Sequence, residues 1–567
     1  MHDNDKSVAL IGGGPSSLFV LKHLVSNNLK LDNIYIFEKT EKLGAGMPYS
    51  LLGANKEHVA NVSANELPEL AESFLSYIKR SDTTEFSEFV KDNTINEYQV
   101  IPRLLLGNYL EEQFKLYIKE AIKMGINVHT QKKTTVSDIE KDEFTGSYHI
   151  FTNEGICYSV STVILCTGHS WPKRHEEIIP NWYDSPYPPS KFCKKTNFPV
   201  AIRGTSLTAI DAVKSIARMN GAFVEQDGNI RYVLNESSPD FSIDLFSLRG
   251  FLPALRFHSE DNAYSSEWIM STEEIQEYKK NNHGFVDLDY VYDRNFKQPL
   301  SKKNKIVYNQ IKSLSIEEFV EKMLAIRKDL NSFELFKAEY SEAEKSIKRH
   351  ETIAWKETLS SFSYAMNYPA KHFSAEDMLR LKKTLLPLIS VIIAALPQSS
   401  YKEVIALYEA GLIRVLSVDD ESRIEPHEDE GGIYYYKDEY DKNIKKHYRM
   451  YVDAIGQQPV EYNDIPFEGL KKKNMISSGY LKFKSKSAAE ELLKEGRNDI
   501  LEYDKDQYYL RVKGLNINDN FQALDYYGQA IKDLYIMAVP YIAGLNPDYS
   551  GLDFCDTAAK IIANSLS

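Results

Sequence analysis

The stretch that most constrains this chain lies near its start. Val8-Ala9-Leu10-Ile11 is a short apolar run that breaks off in Gly12-Gly13-Gly14-Pro15-Ser16-Ser17. Leu18, Leu21 and Val25 then recur on one helical face, and Ile34-Tyr35-Ile36-Phe37 reads as a second strand. A strand, a glycine turn, a helix and a parallel strand within about thirty residues make a β-α-β unit, which places the chain in the α/β class. The turn lets backbone approach a pyrophosphate, and the helix N-terminus offers unpaired N–H groups and a partial positive charge. Gly12, Gly14, Pro15, Ser16 and Ser17 are therefore the expected phosphate contacts. Ser17 replaces the third glycine of GxGxxG and is small enough for the helix to pack closely on the strand. Glu38 closes the second strand 24 residues after Gly14, with Lys39 next to it. A carboxylate there accepts hydrogen bonds from ribose hydroxyls and repels a 2′-phosphate. The alternative is a plain loop joining a strand to a helix.

Composition narrows the class further. At 567 residues the chain has room for two to four domains. With 43% hydrophobic and 26% charged residues, it is ordinary globular material rather than a disordered chain or a membrane bundle. A net charge of −13 argues against a nucleic-acid partner, and Lys471-Lys472-Lys473 and Lys445-Lys446-His447 read as solvated faces. Four cysteines, Cys157, Cys166, Cys193 and Cys555, form no CxxC and no metal-ligand spacing. That excludes a disulfide scaffold and a CxxC dithiol reductase, and no metal site is expected. The start, Met1-His2-Asp3-Asn4-Asp5, is acidic and polar, unlike a secretory n-region. The longest apolar run, Leu385 to Leu396, is shorter than the ~20 residues that span a bilayer. A cytoplasmic protein without a membrane span is the expectation.

Further blocks follow in order: Gly44 to Tyr49, Asn61-Val62-Ser63, Pro102-Arg103 with Gly107-Asn108-Tyr109-Leu110, and Cys166-Thr167-Gly168-His169 followed by Pro172. Together with Gly12–Ser17 they resemble the FAD/NAD(P)-binding flavoproteins related to class B flavin-dependent monooxygenases and the bacterial FAD-dependent urate hydroxylase. The resemblance covers residues 5–255 and 400–567. It implies that the turn at Gly46 and Tyr49 lies along FAD, and that Asn61 approaches the isoalloxazine ring, the one candidate catalytic residue. Taken by themselves, Gly44 and Gly46 supply permissive backbone for a ligand or for a surface turn. Arg103 is a fixed cation for a phosphate or for an ordinary salt bridge.

Tyr148 to Leu165 reads as a β-meander returning to a buried strand that ends in Thr167-Gly168. By resemblance this is the crossover of two-dinucleotide flavoproteins, and Val452-Asp453-Ala454-Ile455-Gly456 is the return. The segment between would carry a second nucleotide. It opens with the strand Pro199–Arg203, then Gly204-Thr205-Ser206-Leu207-Thr208-Ala209 and a helix through Met219. This is a GxSxxA variant, for a second phosphate or for a helix merely docked on a strand. A later strand, Ser242 to Leu248, ends at Arg249, a cation placed to meet a 2′-phosphate and choose NADPH over NADH. Gly228 to Leu234 reads as an inserted hairpin strand, and Glu428 to Gly432 as an acidic hairpin loop.

Residues 260–400 carry helical spacing, as at Ile316, Phe319, Val320, Met323 and Leu324. Trp268, Trp355, Phe362 and Tyr364 there line either a substrate cap or a core. Near the end, Val539 to Leu545 looks strand-like, and Asn546 to Gly551 turns into a helix from Leu552 to Ser565. By resemblance Gly551, Leu552 and Asp553 face the flavin N1/O2 edge; otherwise this is a capped terminal helix.

The expected architecture is two Rossmann-like dinucleotide-binding domains, the FAD domain interrupted by the NAD(P) domain, with a mostly helical insertion. The divisions fall at 1–170, 171–260, 261–400, 401–455 and 456–567. HExxH, the GxSxG nucleophile elbow and the P-loop are all missing from the sequence, so the difficult chemistry falls to the cofactor. The resemblance implies FAD and NADPH, with NADH the alternative, and a small-molecule substrate hydroxylated with O2 through a flavin C4a-hydroperoxide. The competing readings are a flavin-dependent reductase or dehydrogenase without oxygen transfer, and a non-catalytic FAD-retaining binding protein.

Overall fold

The structure, a computed structural model, describes residues 6–259, 269–328, 330–438, 440–548 and 550–566. Of the residues named above, Met1–Asp5, Trp268 and Tyr549 lie outside them. The opening unit forms as its pattern dictates: β1 (Ser7–Ile11), α1 (Pro15–Ser26) and β2 (Asn33–Glu38), with Leu10 opposite Ile36 in parallel register. β1 is buried along its whole length, as a parallel strand covered on both faces must be. Pro15 opens α1, where a missing N–H costs nothing and the fixed φ suits the helix. α2 (Arg103–Lys123) leads to β3 (Asn127–Lys132) beside β2. An antiparallel meander over 136–160 follows, and β4 (Thr162–Leu165) returns beside β1.

The chain then crosses to a second sheet through β5 (Trp182–Tyr183), β6 (Pro199–Arg203), α3 (Leu207–Asn220) and β7 (Ser242–Ser247). A hairpin over 221–234 separates α3 from β7. Helices dominate 272–409, among them α4 (Ala354–Met366). β8 (Ile413–Ser417) and β9 (Met450–Asp453) complete the second sheet. Only then does the chain return, through β10 (Gln522–Leu524), β11 (Ala530–Ile536) and α5 (Gly551–Ser565).

The first sheet runs β10-β11-β4-β1-β2-β3 and the second β5-β9-β6-β7-β8. In each, the strand before the glycine turn is central, the next two step outward on one side, and a later strand crosses to the other. That is the doubly wound order. Apart from β10, which is antiparallel to β11, both sheets are parallel. The molecule is α/β, with two Rossmann-like units, the first interrupted by the second, and a helical insertion.

The insertion is shared between the two cores. Phe296, Phe319 and Phe362 pack with ring centroids 5.1 and 6.0 Å apart and join the first unit's core. Phe333, Phe336 and Tyr401 join the second. Phe362 is thus a buried packing residue, while Tyr364 is buried with its hydroxyl 2.8 Å from Thr557 Oγ1. One expectation is corrected: Val539–Ile542 is a helical turn, not a strand, with Pro540 in its first turn, where proline is tolerated. α5 closes the fold against α1, where Asp556 lies 2.7 Å from both Lys22 Nζ and His23 Nε2.

Candidate functional site

The site begins at the end of β1. Gly12 holds φ at +110°, and a Cβ there would lie 2.6 Å from the carbonyl oxygen of Cys166. Only glycine lets the turn cross the end of β4 so closely. Gly13 N donates to Glu38 Oε2 at 2.8 Å, and Thr40 N to Glu38 Oε1 at 2.8 Å, so two backbone donors fix this carboxylate. Gly14 caps α1 without any side-chain bond to the helix, which leaves first-turn N–H groups open to an anion.

A cleft of about 450 Å³ opens at the carboxyl ends of these strands. Gly12, Gly14, Pro15 and Ser16 line it from the turn, and Glu38 and Lys39 from the end of β2. Gly46 and Tyr49 form another wall, Thr167 and Gly168 follow β4, and Gly551 and Leu552 come from the start of α5. Thr167 Oγ1 is buried beside the Tyr541 hydroxyl without a hydrogen bond of ordinary geometry. Burial pushes the Tyr49 hydroxyl and the Cys166 and Cys555 thiols up to about 12, so all three stay protonated near neutrality.

Four expected cofactor residues stand apart from this cleft. Ser17 is buried behind the turn, its hydroxyl donating to the Gly12 carbonyl, so it packs and braces the loop rather than meeting a phosphate. Arg103 is spent elsewhere: Nη1 donates to Asp211 Oδ2 at 2.6 Å and Nε to the Val59 carbonyl at 3.1 Å. Tyr187 also donates to Asp211, at 2.7 Å. Of the two roles open to Arg103, the structure shows the salt bridge, buried where the first unit meets α3. Asn61 is exposed, and its Oδ1 accepts from Arg256 Nη1 at 3.2 Å. It lines a neighbouring polar pocket, as does Asp553.

The second turn repeats the first. Gly204 holds φ at +116°, and a Cβ there would lie 2.7 Å from the Ala454 carbonyl oxygen. Ser206 caps α3 without a side-chain bond and is exposed, while Thr205 Oγ1 donates to the Phe251 carbonyl at 2.7 Å. Leu207 and Thr208 open the helix, half-buried. Arg249 is exposed just past β7, and among the described residues nothing pairs with it.

Sequence reasoning missed several walls of the cleft. Thr134, Thr135 and Val136 follow β3, and the rule that ligands sit beyond the carboxyl ends of parallel strands would have found them had β3 been recognised. Pro466 and Phe467 arrive after the second unit, with no motif to mark them.

Three kinds of comparison say what the chain is similar to. Residues 9–170 match the family model of FAD-NAD(P)-binding domains, and residues 271–393 that of the YdhS-like middle domain. The first segment is thus an FAD-NAD(P)-binding domain. The uncharacterized protein YdhS of Escherichia coli (strain K12) is 26% identical over 473 residues, 82% of this chain and 86% of its own length. Among solved structures, DfoA bound to FAD, the desferrioxamine biosynthetic pathway cadaverine monooxygenase of Erwinia amylovora, is similar at 11% identity and a TM-score of 0.47. That overlap covers 100% of this chain and 95% of that one. L-lysine 6-monooxygenase from Pseudomonas syringae is similar at 12% identity and a TM-score of 0.47, over 99% of both chains. No helix among the described residues is long and apolar enough to cross a membrane.

Proposed function

We propose that the chain is an FAD-dependent, NAD(P)H-using oxidoreductase whose reaction is the insertion of one oxygen atom from O2 into a small molecule. One observation carries the reading. The same strand–turn–helix device occurs twice, and the first copy opens onto a single cleft walled by five separate stretches of the FAD-NAD(P)-binding unit and by α5.

The residues present fit FAD. The open N-terminus of α1 would hold the pyrophosphate, with Gly12, Gly14, Pro15 and Ser16 giving it room. Each Glu38 oxygen already takes one backbone N–H and keeps a lone pair for a ribose hydroxyl. The Thr167 hydroxyl, buried without a bond, suits a polar ligand atom. Gly551 and Leu552 would turn first-turn N–H groups toward the ring edge where negative charge gathers. Bound there, FAD supplies hydride acceptance and electron delivery to oxygen. The protein's share is to bind, orient and exclude water, and the half-buried Tyr49 and buried Cys555, both protonated, add no charge to the cleft wall.

The second turn, Gly204 to Thr208, would hold NADPH. Ser247 occupies the strand-end position that Glu38 takes in the first unit, so no carboxylate repels a 2′-phosphate, and Arg249 is free to meet it. The test is oxygen consumption by FAD-loaded protein with NADPH and candidate substrates, with ¹⁸O₂ as the label. Label in the product supports the reading. NADPH oxidation coupled to another acceptor, without oxygen uptake, would replace it with a dehydrogenase.

A further inference from the structure

A second pocket of about 390 Å³ lies on the other side of α5's first turn from the cleft. Helical spacing makes the division: Gly551, Leu552 and Cys555 face the cleft, while Asp553, Asp556 and Thr557 face this pocket. Its remaining walls come from the segment around Glu66, from Arg256 and its neighbours, from α4, and from an apolar patch of Ile392, Ile393 and Ala395. It is polar, and its charges are almost all matched. Arg256 Nη2 bonds Glu66 Oε2 at 2.6 Å, and Lys356 Nζ bonds Glu342 Oε2 at 2.8 Å. Glu357 takes Ser259 Oγ at 2.8 Å and Lys303 Nζ at 3.3 Å, and Asp556 takes Lys22 Nζ at 2.7 Å.

Two carboxylates are left over, Glu69, which is exposed, and Asp553, which is half-buried. Among the described residues no cation pairs with Asp553, and residues 260–268 contain no Lys, Arg or His to supply one. The titratable groups around it are Glu66, Asp556, Tyr49, Tyr364 and Cys555, every one acidic. Burial first, and the Glu66 carboxylate second, push the Asp553 carboxyl up to about 7. A half-buried carboxyl left without a cation, on the wall of an open cavity, is matched by what enters that cavity.

We propose that this pocket is the small-molecule substrate site, and that Asp553 selects a substrate carrying a protonated nitrogen by accepting its hydrogen bond. That the ligand is a substrate rests on the oxidoreductase reading; the charge selection does not. Because the ligand needs the carboxylate, affinity climbs with pH through about 7 and then levels off while the ligand stays protonated.

The test is calorimetric titration of the FAD-loaded protein with two probes of the same shape and opposite charge, benzylamine and benzoate, at several pH values. Benzylamine is expected to bind about tenfold or more tightly than benzoate, and Asp553→Asn to remove that preference and flatten the pH profile. Asp553→Glu keeps the charge and most of the preference, which separates lost recognition from a damaged fold. Benzoate binding as well as benzylamine, an Asp553→Asn variant that still prefers the cation, or no binding of either probe would overturn the proposal. Failure to retain FAD would instead overturn the oxidoreductase reading, since the flavin spectrum is recorded on the same samples.

Discussion

Set side by side, the two glycine turns share their backbone and differ in their side chains. At the first, Gly12 N donates to the Phe37 carbonyl at 2.9 Å and Cys166 N to the Ile11 carbonyl at 2.9 Å. At the second, Gly204 N donates to the Phe246 carbonyl at 2.8 Å and Ala454 N to the Arg203 carbonyl at 2.9 Å. The register of side chains then diverges. Ile11 pairs with Leu165 in the first sheet, while Arg203 pairs with Asp453 in the second, bridged at 3.3 Å. Glu38 ends β2 where Ser247 ends β7, and Gly13 and Gly14 become Thr205 and Ser206. The two turns share a backbone frame and differ in the side chains at the strand ends.

The largest effect is expected where the two units meet. Arg103→Met leaves Asp211 buried without its cation and costs about 3–5 kcal/mol, read as a lowered urea midpoint at neutral pH. Although burial pushes the Asp211 carboxyl up, Arg103 holds it below its ordinary value of 3.8. Its stabilisation is therefore present above that value and lost as pH falls through the lower folded one, so the gap between variant and parent should narrow in acid. Next come the paired glycines. Gly12→Val should weaken FAD by about a hundredfold, near 3 kcal/mol, and leave protein that loses its colour on dialysis. Gly204→Val should keep the flavin and weaken NADPH by a similar factor. Equal loss of FAD in both would break the comparison.

Smaller changes sharpen it. Arg249→Ala should raise the KM for NADPH by about tenfold or more, the scale of a lost charged hydrogen bond, with NADH unaffected. Glu38→Gln keeps one acceptor oxygen and should cost FAD binding only about 1 kcal/mol, measured by flavin fluorescence titration.

Much of this was legible in the sequence because local signals and tertiary roles coincide. A glycine turn between an apolar run and an amphipathic helix has few uses, and both turns fold as read. Most of the expected FAD contacts, from Gly12 to Leu552, line one cleft. The sequence left alternatives open where a residue type serves two ends equally. Arg103 carries the same charge for a phosphate as for Asp211, and only the position of α3, set far along the chain, decides between them. Asp553 begins the expected helix, but which face it takes depends on how α5 docks on α1. Val539 to Leu545 is apolar enough for a strand, yet Pro540 suits a first helical turn. The aromatics of the insertion look alike as cap or core, and burial in the first unit's core assigns Phe362 to packing.

The central claim is that two copies of one device hold two nucleotides in working contact. Its most direct test is anaerobic titration of FAD-loaded protein with NADPH, following the visible flavin absorption in the parent and in Gly204→Val. The parent should bleach stoichiometrically, while the variant keeps its flavin and stays yellow at the same NADPH concentration. A parent that holds FAD but never bleaches, or a variant that bleaches as readily as the parent, would contradict the account.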